Sequence, residues 1–258
     1  MGHAVETNLV EFAEFRGRSR YMIHHDDGDL CWNECILQPG YANQVIRARL
    51  TQDNAKSRIN QITDYFAKRG LPFSWTAGPP SSPYNIEEIL KSSGFSRRTE
   101  TPGMTFDLPD GFPPPDTNPL LRIERIMETS TLSECFNMAA RGFDIPLNYF
   151  RFNVSLFAEL GTTYRSPWRY YACYNNGVPV AMCSVFLGRD TAGIYGLTTL
   201  SEHRRSGIGT FMTQRVINEA CEAGRFRIVL RSTPMAVNIY RRLGFKACGA
   251  FSDYVRNP

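Results

Sequence analysis

Residues Thr198–Thr210 read TTLSEHRRSGIGT, and the character of the chain changes within them. Ile194, Tyr195, Leu197, Thr198, Thr199 and Leu200 are apolar or β-branched, which suits a pleated strand. Arg204, Arg205, Gly207 and Gly209 follow, and then a helical pattern to about Ala223. Glycine at the mouth of a helix lets a ligand come close to the backbone amides. The first helical turn also offers unpaired N–H donors and partial positive charge. The two arginines add full charge, so the turn reads as a cradle for phosphate. A bare R-x-x-G-x-G is common among glycine-rich turns, so its surroundings decide what it means.

The chain of 258 residues is long enough for one large domain or two medium ones. Its apolar fraction of 42% is ordinary for a packed globular protein. No apolar run approaches the roughly 20 residues that span a bilayer, so no membrane association is expected. The opening MGHAVETNLVEF lacks a basic-then-apolar leader pattern. The seven cysteines, at 31, 35, 135, 173, 183, 221 and 248, are scattered. Cys31 and Cys35 have no second Cys/His pair nearby along the chain, so no metal is expected. Reduced, buried thiols in a cytoplasmic protein are the expectation. The net charge of +4 is uneven: −3 over residues 1–119 and +7 over residues 120–258. Lys246 is the only lysine in the second stretch, and arginine suits planar, multidentate contacts with phosphate. No basic run interleaved with aromatics and no zinc or helix-turn-helix signature is present, so no nucleic-acid partner is expected.

In the first half, Asn8–Phe15 predicts a short helix, and Arg20–His25 with Leu30–Leu37 a hairpin around the turn-forming Asp26-Asp27-Gly28-Asp29. Val45–Leu50 reads as extended. Asp53 or Asn54 caps a helix to Lys68, with Ile59, Ile62, Tyr65 and Phe66 on one face and Gly70 at its end. A strand over Pro72–Thr76, a helix over Asn85–Ser93 closed by Gly94, and a strand over Met104–Leu108 follow. Adjacent His24 and His25 would face opposite sides of a strand, which fits packing or surface roles rather than joint metal binding. Residues 109–119, PDGFPPPDTNP, hold five prolines and a glycine and read as a linker.

The second half gives a strand at Leu121–Ile126 and helices capped near Thr129 and over Leu147–Leu160. A hairpin turns at Asn175-Asn176-Gly177, between Trp168–Tyr174 and Val178–Leu187, and a strand over Ala192–Leu200 comes next. After the glycine loop come a helix ending at Gly224, a strand over Phe226–Arg231, a helix over Met235–Leu243, and strands over Phe245–Phe251 and Tyr254–Arg256.

The order β-α-α-β-β-β-loop-α-β-α-β-β, with Arg204-x-x-Gly207-x-Gly209 and the segment AVNIYRRLGF over Ala236–Phe245, resembles the GNAT superfamily of N-acetyltransferases. The likeness is clear over about residues 120–258. It implies an α+β, three-layer GNAT fold with a mixed, mostly antiparallel sheet flanked by helices. The first half repeats the pattern weakly: NIEEILKSSGF over Asn85–Phe95 parallels Ala236–Phe245. Where its phosphate loop should lie, the chain reads ARLTQD over Ala48–Asp53, with no glycine. Two tandem domains are therefore expected: a degenerate GNAT-like domain at 1–108 without cofactor, the linker at 109–119, and a catalytic domain at 120–258.

The resemblance implies acetyl-CoA, or another acyl-CoA, as donor. Its diphosphate would sit on Arg204, Arg205, Ser206, Gly207, Ile208, Gly209 and Thr210, and its pantetheine arm along Leu197, Thr198 and Thr199, with Gly196 placed for a bulge. Tyr240 matches the family's general acid for the departing thiolate, with a packing aromatic on a helix as the alternative reading. Thr233 stands where many members carry an asparagine that touches pantetheine, and Asn238 is a nearby candidate. An amine acceptor must lose a proton to attack, and Glu202 or Asp144 is the candidate base. Phe143, Asp144, Tyr149 and Phe150 are candidates for the acceptor pocket. The expected reaction is acetyl transfer to a primary amine of a small or amino-acid-like molecule, by direct attack in a ternary complex, in a monomer or homodimer. A protein acetyltransferase and a non-catalytic acyl-CoA sensor are the alternatives.

Overall fold

The computed structural model describes residues 2–37, 42–109, 120–143 and 148–256, with no side chains described at 141–143 and 148–151. The expected linker from residue 110 on, and Asp144, lie outside the described residues. In chain order the elements are α1 (Gly2–Arg16), β1 (Met22–Asp26), β2 (Leu30–Cys35), β3 (Gln44–Ala48), α2 (Ala55–Ala67), β4 (Ser74–Ala77), α3 (Ile86–Ser92) and β5 (Phe95–Asp107). Then come β6 (Leu121–Ile126), α4 (Thr129–Phe143), α5 (Asn148–Leu160), β7 (Trp168–Asn175), β8 (Val178–Leu187) and β9 (Thr191–Thr199). A 3-10 turn (Ser201–His203), α6 (Ile208–Glu222), β10 (Arg227–Arg231), α7 (Val237–Arg242) and β11 (Lys246–Arg256) complete the series.

Two compact units result: Met1–Gly103 with Ala247–Pro258, and Met104–Lys246. In the first, the strand order is β1-β2-β3-β4-β11-β5. β1 with β2, β2 with β3, and β4 with β11 run antiparallel, while β3 and β4 run parallel through Gln44↔Ser74 and Val45↔Trp75. The core gathers Trp32, Ile59, Ile62, Phe66, Trp75, Leu90, Phe95 and Tyr254. On the other face, the Asn33 side-chain amide donates to the Ala13 carbonyl of α1 at 3.1 Å. In the second unit the order is the end of β5, then β10-β9-β8-β7-β6. There β9 and β10 are the parallel pair, and the core runs from Met104 and Phe106 through Cys183, Ile194, Ile208, Met212 and Tyr240 to Phe245.

The division differs from a boundary within residues 109–119. The last strand, expected to finish the second domain, lies in the first unit, where Ser252 to Val255 pair with Ala77 to Ser74. Packing explains the difference. Tyr254 is fully buried beside Trp75 and Phe95, and its hydroxyl donates to Glu87 at 2.6 Å. The Phe251 ring lies so close to Gly78 and Gly103 that a Cβ at either would sit within about 2.5 Å of it. In turn, Phe106 stacks on Phe245 at 5.1 Å within the second unit. Prolines mark a break in regular structure; they do not decide which core a strand joins. Other expected bounds also shift. The first helix begins at Gly2, β5 begins at Phe95, and the last two expected strands are one.

The same run of elements occurs twice along the chain: β1-β2-β3-α2-β4-α3-β5 and β7-β8-β9-α6-β10-α7-β11. In each, the third and fourth strands are the parallel pair. Their long helices stop alike. Gly70 (φ 63°) donates to Ala67, and Leu71 to Phe66, while Gly224 (φ 73°) donates to Cys221, and Arg225 to Ala220. Each is a left-handed glycine closing the last turn. The molecule is a tandem repeat of one fold.

Candidate functional site

The site begins where β9 loses its partners. Against β8 the register runs from Leu187↔Ala192 to Ser184↔Tyr195, then resumes at Met182↔Thr198 and Ala181↔Thr199. Gly196 and Leu197 therefore stand opposite Cys183 alone, a bulge that Gly196 permits with φ of 60°. On its other edge β9 pairs with β10 only as far as Ile194↔Leu230, though it runs on to Thr199. The two parallel strands thus part beside the bulge.

The chain then crosses the 3-10 turn and reverses. Arg204 is extended, Arg205 takes φ of 62°, and Gly207 takes φ of 83° as the residue before α6. The first intrahelical bond at that end runs from the Phe211 amide to the Gly207 carbonyl at 3.0 Å. The amides of Ile208, Gly209 and Thr210 precede it and are free of the helical ladder. All three residues line a cleft of about 700 Å³. Thr199, His203, Arg204, Arg205 and Gly207 line it from the loop, and Met235, Asn238, Ile239 and Arg242 from the segment around α7. A Cβ at Gly207 would meet nothing within 4 Å, so the backbone there stands open to a ligand. The Arg204 guanidinium donates through Nε to the Thr199 carbonyl at 3.1 Å, tying the loop to the end of β9.

Of the residues expected around a donor, Thr199, Arg204, Arg205, Gly207, Ile208, Gly209, Thr210 and Asn238 meet in this cleft. Leu197, Thr198, Ser206, Thr233 and Tyr240 do not line it. Thr198 is buried and Leu197 packs on the core. The Ser206 hydroxyl donates to the His203 carbonyl at 2.5 Å, and the Thr233 carbonyl accepts the Ala236 amide at 3.0 Å. Glu202 is exposed on the 3-10 turn and accepts from the Ser201 hydroxyl at 2.9 Å. Phe143 lies in α4, and Tyr149 and Phe150 in α5, with no side chains described. The sequence reading missed His203, Met235, Ile239 and Arg242. Spacing was the available signal for one of them: Arg242 follows Asn238 by four positions, on one helical face.

Tyr240 is 4% exposed and packs edge-on against Phe245 at 5.4 Å. Burial pushes its hydroxyl well above the ordinary phenol range, and the nearby Cys183 thiol, opposite the bulge, adds to this. The group holds its proton at neutral pH.

The corresponding place in the first unit is built differently. Beyond β3, Arg49 forms a parallel bridge with Ser82. The Ser82 amide donates to Ala48 and the Leu50 amide to Ser82, both at 3.1 Å. The Thr51 amide donates to Asn54 Oδ1 at 2.9 Å, and the Asn54 amide to Thr51 Oγ1 at 3.2 Å. The Arg49 guanidinium is held by the Glu6 carboxylate. Chain and side chains fill the edge that β9 leaves open.

Residues 136–245 match the model of the acetyltransferase (GNAT) family. Residues 136–245, within the second unit, are a GNAT domain. Over the whole chain, the fold is similar to that of a GCN5-related N-acetyltransferase from Kribbella flavida, with TM-score 0.76, 17% identity, and coverage of 100% of this chain and 97% of that one. A GCN5-related N-acetyltransferase from Sphaerobacter thermophilus gives TM-score 0.66 at 13% identity, over 88% of this chain and 76% of that one. A tandem GNAT protein from the clavulanic acid biosynthesis pathway gives 0.59 at 13% identity, over 96% and 88%. These identities establish the fold and nothing finer. No curated protein matches the chain by sequence. No helix among the described residues is long and apolar enough to cross a membrane.

Proposed function

We propose that the GNAT domain binds acetyl-CoA in the cleft between the glycine loop and α7, and transfers its acetyl group to a primary amine of a small or amino-acid-like molecule. The observation that carries this is the start of α6. Three amides outside the helical ladder line a cleft beside Arg204 and Arg205, with Gly207 open to the ligand. That arrangement suits a diphosphate, whose oxygens accept from backbone N–H groups and guanidinium groups. The edge of β9 beyond Ile194, left by β10, suits an extended amide-bearing arm that hydrogen-bonds as a strand does. The donor supplies an activated thioester. The chain's own part is to place it, and to put a proton near the departing sulfur.

Tyr240 is the group proposed for that proton. Its raised hydroxyl is protonated at neutral pH, as a general acid must be. The acceptor amine has an ordinary pKa near 10.4, so a base must remove a proton before attack. Of the two carboxylates expected for this, Glu202 is the described one, and it is exposed on the turn next to cleft-lining His203. The filled edge in the first unit supports a matching proposal, that this unit holds no acyl-CoA.

Titration calorimetry with acetyl-CoA tests the cleft. Gly207→Glu should abolish binding, through clash and through like charge against the diphosphate. Unchanged affinity would remove the assignment. Release of free thiol from acetyl-CoA across a panel of amines tests the chemistry. One observation favours binding alone, as a sensor: Tyr240 lies among apolar side chains and outside the cleft lining. Binding without thiol release on any amine would establish that reading instead.

A further inference from the structure

The β1–β2 hairpin brings together three side chains that the chain keeps apart. His24 and Asp26 lie two positions apart on β1, so they share a face, and Cys31 on β2 is the direct cross-strand partner of Asp26. One ligand atom from each lies within 4.8 Å of the others. His24 Nε2 is 3.8 Å from Cys31 Sγ. Bond lengths of about 2.0 to 2.3 Å to tetrahedral zinc put ligand atoms about 3.5 Å apart, so that pair is already near the required separation.

The surroundings fix the orientation of two of the three. The Asn33 amide group donates to the Ala13 carbonyl at 3.1 Å, which turns its oxygen toward His24. That oxygen is 2.7 Å from His24 Nδ1, and an oxygen can only accept, so Nδ1 carries the proton. Nε2 is then the unprotonated nitrogen, facing the thiol. A histidine held through its far nitrogen in this way is the usual support of a metal ligand. Asp26 Oδ1 takes the Gly28 amide at 2.8 Å and the Arg47 guanidinium at 2.5 Å, which leaves the carboxylate's other oxygen as a ligand.

We propose that His24 Nε2, Cys31 Sγ and a carboxylate oxygen of Asp26 bind a zinc ion, with water as the fourth ligand. One nitrogen, one sulfur and one oxygen form a borderline-soft set, which favours zinc over magnesium or calcium. Water completes the tetrahedron on the open side, since Asp26 is exposed and His24 half-buried. Burial pushes the Cys31 thiol up to about 12, and Arg47 partly offsets this. Zinc must therefore displace the thiol proton to solvent, and affinity falls as pH falls. Zinc with one thiolate and one carboxylate is neutral overall. With the thiol proton released, the site gains one positive charge, in a field that already includes Arg47, Glu6 and Glu14.

The test is cobalt(II) titration of the full chain under reducing conditions, followed by thiolate-to-cobalt charge-transfer absorption, with zinc as competitor. The expected result is a one-equivalent band that zinc removes. It should be lost in Cys31→Ser and need at least about tenfold more cobalt in His24→Gln and in Asn33→Ala. Far-ultraviolet circular dichroism checks that each variant is folded. If Cys31→Ser does not fold, His24→Gln, at a half-buried position, carries the test. No band in the wild type, a band unchanged in folded Cys31→Ser, or equal cobalt affinity in His24→Gln would each overturn the proposal.

Discussion

At Tyr240 the ring and the hydroxyl can be tested separately. The ring is part of the core, against Phe245, and a phenylalanine in its place would keep that packing. Tyr240→Phe should therefore leave thermal stability and acetyl-CoA affinity close to wild type. Turnover should fall by about a hundredfold or more, the scale of a lost general acid. Equal turnover would leave the residue a packing role alone. His25 makes a different prediction. Its ring stacks on Trp32 at 4.5 Å, and burial lowers its pKa despite the pull of Glu34. The unfolded chain then binds the proton more readily than the folded one. The stabilisation is present above the ordinary histidine pKa of about 6.5, and is lost as pH falls below it. Tm should drop more between about pH 7.5 and pH 5 in the wild type than in His25→Gln, and parallel profiles would refute the link. At this scale the sequence was most legible where a residue answers a local need. Gly207 and Gly196 were readable because a left-handed φ asks for glycine. Met235 was not, because its position depends on where the segment leading into α7 lies beside the loop. The hairpin ligands were hidden for a related reason: a search along the chain for Cys/His pairs cannot see a cross-strand pair.

Among the elements, β9 does most to shape the site, through one interruption in its pairing. A Cβ at Gly196 would meet nothing within 4 Å, so Gly196→Ala brings backbone strain without a clash. Chemical denaturation should show a loss of about 1 to 2 kcal/mol. A much larger loss would mean that the bulge is more tightly packed than it looks. Acetyl-CoA should also bind more weakly to that variant, since flattening the bulge brings β9 back toward regular pairing. The strand and helix that flank the loop were legible from alternation, helical spacing and glycine stops. The end of the parallel pairing at Ile194↔Leu230 was not, since nothing in β10 itself forbids one more pair. In the first unit the absence of glycine from Ala48–Asp53 was readable, but its structural counterpart, Ser82 bridged to Arg49, lies some thirty residues farther on.

At the scale of the molecule, the repeat was legible and the partition of its strands was not. Gly94 and Gly244 punctuate the two copies alike, and this shows in the letters. That β11 seats Phe251 and Tyr254 in the first unit is a matter of tertiary packing. Ending the chain at Lys246 should therefore damage the far end of the sequence. Amides of β4 should lose protection from hydrogen exchange, and the first unit should melt at lower temperature, while the glycine loop keeps its residues. Unchanged protection in β4 would show that β11 contributes little there. The same seating also bears on how the protein is made. Residues 2–103 are synthesised with one side of β4 still waiting for a strand. That strand comes from Ala247–Arg256, synthesised about 170 residues later, so translation halted just before Ala247 would leave its defect in β4, a segment made long before the halt.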